Sequence, residues 1–322
     1  MEILKSAIIL VIGFVLLIKG ADFFVEGSSS VAKKFNVPSL IIGMTIVAMG
    51  TSLPELAVSV TASMTGNNTL AVSNVSGSNI FNLMVVCGAC ALFAPLTIDK
   101  NTLLKEFPFS ILCAGLLVVL GFFGMSLGRI DGVIFLVIFA AYLLWMIYSA
   151  KQARGAEDKL ETEEEEFVEE EIKILPMWKC ILFIVGGMVA IKFGGDFVVD
   201  GASAIAAGFG LSQTLIGLTI VALGTSLPEL VTSIVAAKKN EVDMALGNVI
   251  GSNIFNILLI LGVAAVISPV AFLMENIIDI VILIIMSVVV WGFAWTSKKI
   301  NRTEGMIMLL MYAVYMVYIC MR

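Results

Sequence analysis

Apolar residues run through this chain in blocks of about twenty or more, separated by short clusters of charge, glycine and proline. Blocks of that length suit helices that cross a bilayer, whereas strands crossing one would need about ten residues of strict alternation. The pattern predicts ten helices, over residues 3–29, 38–64, 69–94, 107–126, 130–150, 177–206, 211–237, 243–270, 276–297 and 303–320. The first block, from Ile3, lacks a small-residue cleavage site and is followed by further spans, so it reads as a retained helix.

The polar positions inside the blocks repeat. GTSLPE occurs at 50–55 and again at 224–229, within IGMTIVAMGTSLPEL and IGLTIVALGTSLPEL, which differ at two positions. GSNIFN follows in both, at 77–82 and 251–256. The offset stays at 174 residues from the pair Asp22 and Asp196 to the pair Asn82 and Asn256, so the halves align without a gap. Each half carries five helices; because five is odd, the second copy must enter the membrane from the opposite face, the arrangement by which many carriers place a site at the midplane. The expected fold is therefore an all-α polytopic membrane protein, with ten transmembrane helices as two inverted five-helix repeats. The first repeat occupies 1–150 and the second 177–322, joined by an acidic linker at 151–176.

Composition agrees: 60% of residues are hydrophobic, 14% are charged and the mean hydropathy is +1.06. With the N-terminus outside, 14 of the 19 Lys and Arg fall in inward loops and three outside, which places both termini outside and the linker in the cytosol. That linker, with ten carboxylates between Glu157 and Glu171, reads as a solvated connection, since it lacks the ordered spacing of a calcium loop. There is no histidine, which removes the commonest transition-metal ligand, and the five cysteines lie in apolar runs as expected of small core residues. With no histidine, accessible cysteine or phosphate-binding loop, nothing supports an enzyme, a resident cofactor or a nucleic-acid partner. The lipid bilayer is the one surrounding the chain demands, and no obligatory protein partner is evident.

The repeated hexapeptide carries the chemistry. Pro54 and Pro228 cannot donate to the carbonyls of Gly50 and Gly224, which frees backbone oxygens at depth and is tolerated only beside protein or a polar cavity. Thr51 and Ser52 lie four and three residues before Glu55 on one face, and Thr225 and Ser226 stand likewise before Glu229. On the next helix of each half, Ser78 with Asn82 and Ser252 with Asn256 are four apart. Gly, Ser and Thr also serve simply to pack helices, but an acid inside a span costs at least about 2.5 kcal/mol, and two without basic partners call for a cation. Oxygen ligands select Ca²⁺, Na⁺, Mg²⁺ or H⁺ over soft metals. Two carboxylates balance one Ca²⁺, two Na⁺ or two protons, and a third Na⁺ would make exchange electrogenic. The empty site would keep two negative charges in low dielectric, which hinders reorientation unloaded and points to an antiporter.

At these motifs the sequence resembles the sodium/calcium exchanger family of the calcium/cation antiporter superfamily, in its compact prokaryotic form, over essentially the whole chain. The resemblance implies secondary active exchange of Na⁺ for Ca²⁺ across the cell membrane by alternating access. It further implies that Glu55 and Glu229 coordinate Ca²⁺, that Thr51, Ser52, Ser78, Thr225, Ser226 and Ser252 coordinate Na⁺ or Ca²⁺, and that the carbonyls of Ala48 and Ala222 contribute. Asn82 and Asn256 fall on the remaining liganding positions. Some relatives carry an aspartate where this chain has Asn256, so the amide argues for a potassium-independent site. A H⁺/Ca²⁺ antiporter on the same fold is the alternative, although the second acidic motif of that branch is absent after Asn74 and Asn248. Asp22 with Glu26 and Asp196 with Asp200 read as snorkelling pairs, or as links to Lys19 and Lys192. The family resemblance also implies that the first and sixth helices slide against the core.

Overall fold

The computed structural model describes residues 2–66, 69–160, 175–211, 216, 220 and 222–322. It is almost wholly helical. Helix α1 spans Glu2–Lys34, and a bent pair follows, α2 over Ser39–Thr51 and α3 over Leu53–Met64, with 49° between their axes. Then come α4 (Leu70–Phe93), α5 (Thr102–Phe122), α6 (Arg129–Leu160) and α7 (Met177–Gly208). A short α8 (Ala222–Gly224) leads into α9 (Leu227–Lys238), and α10 (Val242–Ile267), α11 (Met274–Ser297) and α12 (Arg302–Met321) complete the chain. Among the described residues, eight helices are long and apolar enough to cross a membrane, and the α2–α3 pair makes a ninth. Of the predicted span 211–237, only residues 211, 216, 220 and those from Ala222 on are described, so its first half lies outside the described residues, as does linker segment 161–174.

Several boundaries differ from the hydropathy pattern. Helix α6 runs to Leu160 rather than 150, because the Lys, Gln, Ala and Arg after the apolar block favour helix as strongly as the block itself. Helix α5 begins at Thr102, five residues early, through a wide turn over Thr102–Glu106. The single helix expected over 38–64 is two, since Pro54 stands in the first turn of α3 and Ser52, at φ −85° and ψ 10°, has left helical geometry. Four of the five cysteines are buried as expected, but Cys320 is exposed, because α12 lies at the rim and turns one side outward.

The interior is built around α4 and α10. In each, 78% of the most apolar stretch is enclosed, whereas the other long helices enclose 17–39% and turn side chains such as Leu4, Ile130, Leu144 and Val314 outward. An apolar perimeter of this kind fits a lipid surround. Helix α10 crosses α2 backbone to backbone: a Cβ on Gly251 would stand 2.6 Å from Met44 Cα, and one on Gly247 2.5 Å from Leu40 O. The residue that would face Gly77 by the 174-residue offset, Leu218, lies outside the described residues.

Helices α1 and α7 meet through small residues spaced by sevens. Gly201 faces Ser6 and Leu10, Gly194 faces Gly13, Gly187 faces Gly20, and Gly27 faces Cys180, with added Cβ atoms falling 2.5–3.0 Å from partner backbone. Each step of seven forward on α1 is a step of seven backward on α7, which makes the pair antiparallel. Two short ribbons tie the halves together: Leu96–Thr97 pairs antiparallel with Lys299–Ile300, and Ser126–Leu127 with Val270–Ala271. Leu96–Thr97 corresponds to Val270–Ala271 at the 174-residue offset, and Ser126–Leu127 to Lys299–Ile300 at 173.

Candidate functional site

Both GTSLPE segments form the same break. The α2–α3 bend falls at Ser52, and its counterpart Ser226, at φ −94° and ψ 5°, separates α8 from α9. Glu55 and Glu229 therefore stand in the first turns of twelve-residue helices, where the free backbone N–H groups and the helix dipole favour negative charge. Neither side chain has any exposure. The backbone bonding before the break differs between the halves. Ala48 O accepts from Ser52 N at 3.1 Å and lies 3.3 Å from Thr51 Oγ1, whereas Ser226 N donates to Leu223 O at 3.2 Å, a tighter turn.

The serines cross between repeats to reach the acids. Ser226 Oγ and Ser78 Oγ both donate to Glu55 Oε1 at 3.0 Å and stand 2.7 Å from each other. Ser52 Oγ donates to Glu229 Oε1 at 2.9 Å. Each carboxylate is thus held by a hydroxyl from the other half. Thr51 Oγ1 donates to Asn248 Oδ1 at 3.0 Å, and Ser252 Oγ reaches the same oxygen at 3.5 Å. Asn256 Nδ2 donates to Asn79 Oδ1 at 2.9 Å. Wide turns over Gly43–Val47, Asn82–Val86 and Asn256–Ile260 interrupt α2, α4 and α10 beside these residues, a distortion common at functional sites.

Thr51, Ser52, Glu55, Ser78, Ser226, Glu229, Ser252 and Asn256 are therefore brought to one interior region by these bonds. Glu55 Oε2, Glu229 Oε2, Thr225 Oγ1, Asn256 Oδ1 and both polar atoms of Asn82 are buried without a hydrogen-bond partner. Groups so placed are costly unless something else satisfies them. Among the described residues no cluster of three or more Asp, Glu, Cys or His forms a metal site, so these two acids are supplemented by neutral oxygens.

Sequence reasoning passed over several participants. Asn74 Nδ2 donates to Ser59 Oγ at 3.1 Å behind Glu55, and Asn248 Nδ2 donates to Ser233 Oγ at 2.9 Å behind Glu229. Asn79 and Asn253 bond to each other's backbone across the two halves. Each of these pairs obeys the 174-residue offset, which was the available signal.

The two ends of the site are unlike. A cavity of about 340 Å³ is lined by Pro54, Ala57, Asp196, Asp200, Thr225 and Pro228 among others. At the offset-related place Ala21, Val25, Thr51 and Thr232 have no exposure. There Lys239 Nζ contacts Asp22 Oδ1 at 2.6 Å and Glu26 Oε2 at 3.7 Å, and Glu241 accepts from Ser29 and Ser39. The expected partner of Asp22, Lys19, is replaced by Lys239 because α1 packs along α9, whose last turn delivers that lysine. Lys192 pairs with Asp196 as the spacing suggests.

Membrane-crossing helices wrapped around two buried, hydroxyl-bound carboxylates are suited to a multi-pass cation carrier, and the comparisons give its class as cation/Ca²⁺ antiporter. The sequence model described as sodium/calcium exchanger protein matches residues 5–148 and 179–321, and the chain belongs to that family. It is 32% identical over 343 residues to the sodium/calcium exchanger MaX1 of Methanosarcina acetivorans, covering 96% of this chain and 97% of that one. It is 38% identical over 272 residues to the inner membrane protein YrbG of Escherichia coli strain K12, covering 83% and 81%. A solved structure of the sodium-calcium exchanger NCX_Mj, soaked with zero Na⁺ and Ca²⁺, superposes with a TM-score of 0.84 at 32% identity, covering 98% of this chain and 99% of that one.

Proposed function

We propose that this chain exchanges Na⁺ for Ca²⁺ across the cell membrane by alternating access. On this reading it has ten spans in two inverted five-helix repeats, residues 1–150 and 177–322, with both termini outside and the 151–176 linker in the cytosol. The antiparallel run of α1 against α7, together with the two ribbons that pair corresponding segments of the halves, supports the inversion. Glu55 and Glu229 bind Ca²⁺, aided by Thr51, Ser52, Ser78, Asn82, Thr225, Ser226, Ser252, Asn256 and the carbonyls of Ala48 and Ala222.

The observation that carries the proposal is the set of partnerless buried oxygens on Glu55, Glu229, Thr225, Asn82 and Asn256. Two are carboxylate oxygens, which balance Ca²⁺ or two monovalent ions. Three are hydroxyl or amide oxygens, which ligate a metal cation but do not take up a proton near neutral pH, and this favours Na⁺ over H⁺ as the coupling ion. A third Na⁺ on those neutral groups makes each cycle electrogenic, worth about 2.3 kcal/mol per charge per 100 mV. The cavity beside Asp196 and Asp200 is the entrance in this conformer, while Lys239 on Asp22 and Glu26 closes its counterpart.

The test is Ca²⁺ uptake into proteoliposomes containing the purified chain, driven by an outward Na⁺ gradient, by a pH gradient, or by a clamped potential with Na⁺ present on both sides. Uptake should follow the Na⁺ gradient and respond to the potential. Uptake that follows the pH gradient alone would replace this reading with H⁺/Ca²⁺ exchange.

A further inference from the structure

Asn79 and Asn253 each follow a serine assigned above to the cation site, and both are buried. Asn79 Nδ2 donates to Asn253 O at 3.1 Å and Asn253 Nδ2 donates to Asn79 O at 3.2 Å, so the pair clamps α4 to α10 by two equivalent bonds. The equivalence ends at the side-chain oxygens. Asn79 Oδ1 accepts from Asn256 Nδ2 at 2.9 Å, whereas Asn253 Oδ1 and both polar atoms of Asn82 are buried without a partner.

A carboxamide has a donor end and an acceptor end, and only the acceptor end is useful to a cation. Nothing in the length or shape of asparagine decides which end is presented; a neighbour must. The Nδ2 of Asn256 is committed to Asn79, which leaves its Oδ1 buried and without a partner. Asn82 has no such neighbour and either end can turn inward. The two asparagines that the repeat makes equivalent in sequence are therefore unequal in preparation.

We infer that Asn79 is a positioning residue for the cation site: by accepting a hydrogen bond from Asn256 Nδ2, it presents Asn256 Oδ1 to the bound cation. The inference rests on the reading of Asn256 as a ligand. Asn79 touches no ion itself and acts through Asn256, as the groups behind metal ligands do when they fix ligand orientation.

The symmetry of the clamp supplies the control. Asn79→Ala and Asn253→Ala each remove one of the clamp's two donors and leave one carbonyl without its partner, so they cost the clamp alike. Only Asn79→Ala also releases Asn256. Isothermal titration of the full-length chain in detergent with CaCl₂ should show affinity about tenfold weaker for Asn79→Ala and within about twofold of native for Asn253→Ala, while thermal melts fall for both and further for Asn79→Ala. Asn79→Ala introduced into an Asn256→Ala background should weaken Ca²⁺ binding no further. Should Asn79→Ala not fold, Asn79→Ser, whose hydroxyl is too short to keep Asn256 in place, is titrated instead with the same expectation. Equal weakening by Asn79→Ala and Asn253→Ala would make the residue structural only, and native affinity in Asn79→Ala would show that Asn256 needs no orientation; either result overturns the inference. Native affinity in Asn256→Ala would instead remove Asn256 from the ligand set and sink both readings, so a failure of the positioning step alone is recognised by a weakened Asn256→Ala beside an unaffected Asn79→Ala.

Discussion

Replacing Glu55 with glutamine isolates charge from shape. Glu55 Oε1 accepts from Ser78 and Ser226 at 3.0 Å each, and Oε2 has no partner. A glutamine with its carbonyl in the Oε1 position keeps both bonds and sets its NH₂ where the partnerless oxygen was, so the local packing is unchanged. What is lost is one negative charge against a divalent ion. Two unit charges 4 Å apart interact by about 4 kcal/mol at an effective dielectric of 20, hence about 8 kcal/mol for Ca²⁺. About half of that is offset because the amide escapes the desolvation that a buried carboxylate bears. The remainder, about 4 kcal/mol, corresponds to roughly a thousandfold weaker Ca²⁺ binding. The sign for stability is opposite: without Ca²⁺, removing a buried charge that lacks a basic partner should leave the melting temperature unchanged or higher. Titration calorimetry and melts with and without CaCl₂ measure both, and the native Ca²⁺-induced rise in melting temperature should vanish in Glu55→Gln. Ca²⁺ affinity within tenfold of native in a folded variant would refute the assignment of Glu55 to the site.

Two further outcomes follow from the unequal halves. Asn256→Asp adds a third negative charge and, when ionised, cannot donate to Asn79 Oδ1, so Na⁺-driven Ca²⁺ flux should become dependent on pH or on added K⁺; flux curves superimposable on native across a pH series, with K⁺ or choline, would place residue 256 away from the cation. In a background with the exposed Cys320 replaced by serine, Val199→Cys should react with a charged thiol reagent at least tenfold faster than Val25→Cys, because Val199 lines the 340 Å³ cavity and its counterpart Val25 has no exposure. Equal rates would mean that the cavity is not the aqueous entrance.

The hexapeptide repeat was enough to find Glu55, Glu229 and the hydroxyls around them, because an acid placed beside a helix-breaking proline in an apolar block has few structural uses. The break itself was legible from Pro54 and Pro228, although not its form, in which each proline starts a new helix instead of kinking an old one. The supporting asparagines were in plain view at the same offset but carried no sign of their role, which depends on α4 and α10 meeting. Least legible was the inequality of the two halves. Two segments that match at all but two of fifteen positions carry no instruction about which should open. That choice is made by residues the repeat does not share: Lys239 has Thr65 as its counterpart, so one pair of acids is met by a lysine from α9 and the other is left beside a cavity. A charge partner separated by 217 residues could not be assigned from spacing, and nearby Lys19 was the natural expectation.

The seam between α1 and α7 limits how these helices can move as rigid bodies. At its four levels, spread over about 32 Å at 1.5 Å per residue, the meeting surfaces are largely main chain, with the rings of Phe23 and Phe183 in contact toward one end. Rolling either helix about its own axis would swing Leu17 or Ile191, both now buried at the seam, into the other's backbone. Tilting would open one end of a contact that is equally tight along its length. Of the relative displacements open to two rods, shear along the shared axis disturbs the fewest atoms, and the seven-residue spacing means that the original fit returns only after about 10 Å of travel. A contact of this geometry has the stiffness of a linear bearing, compliant in one direction and stiff in the rest.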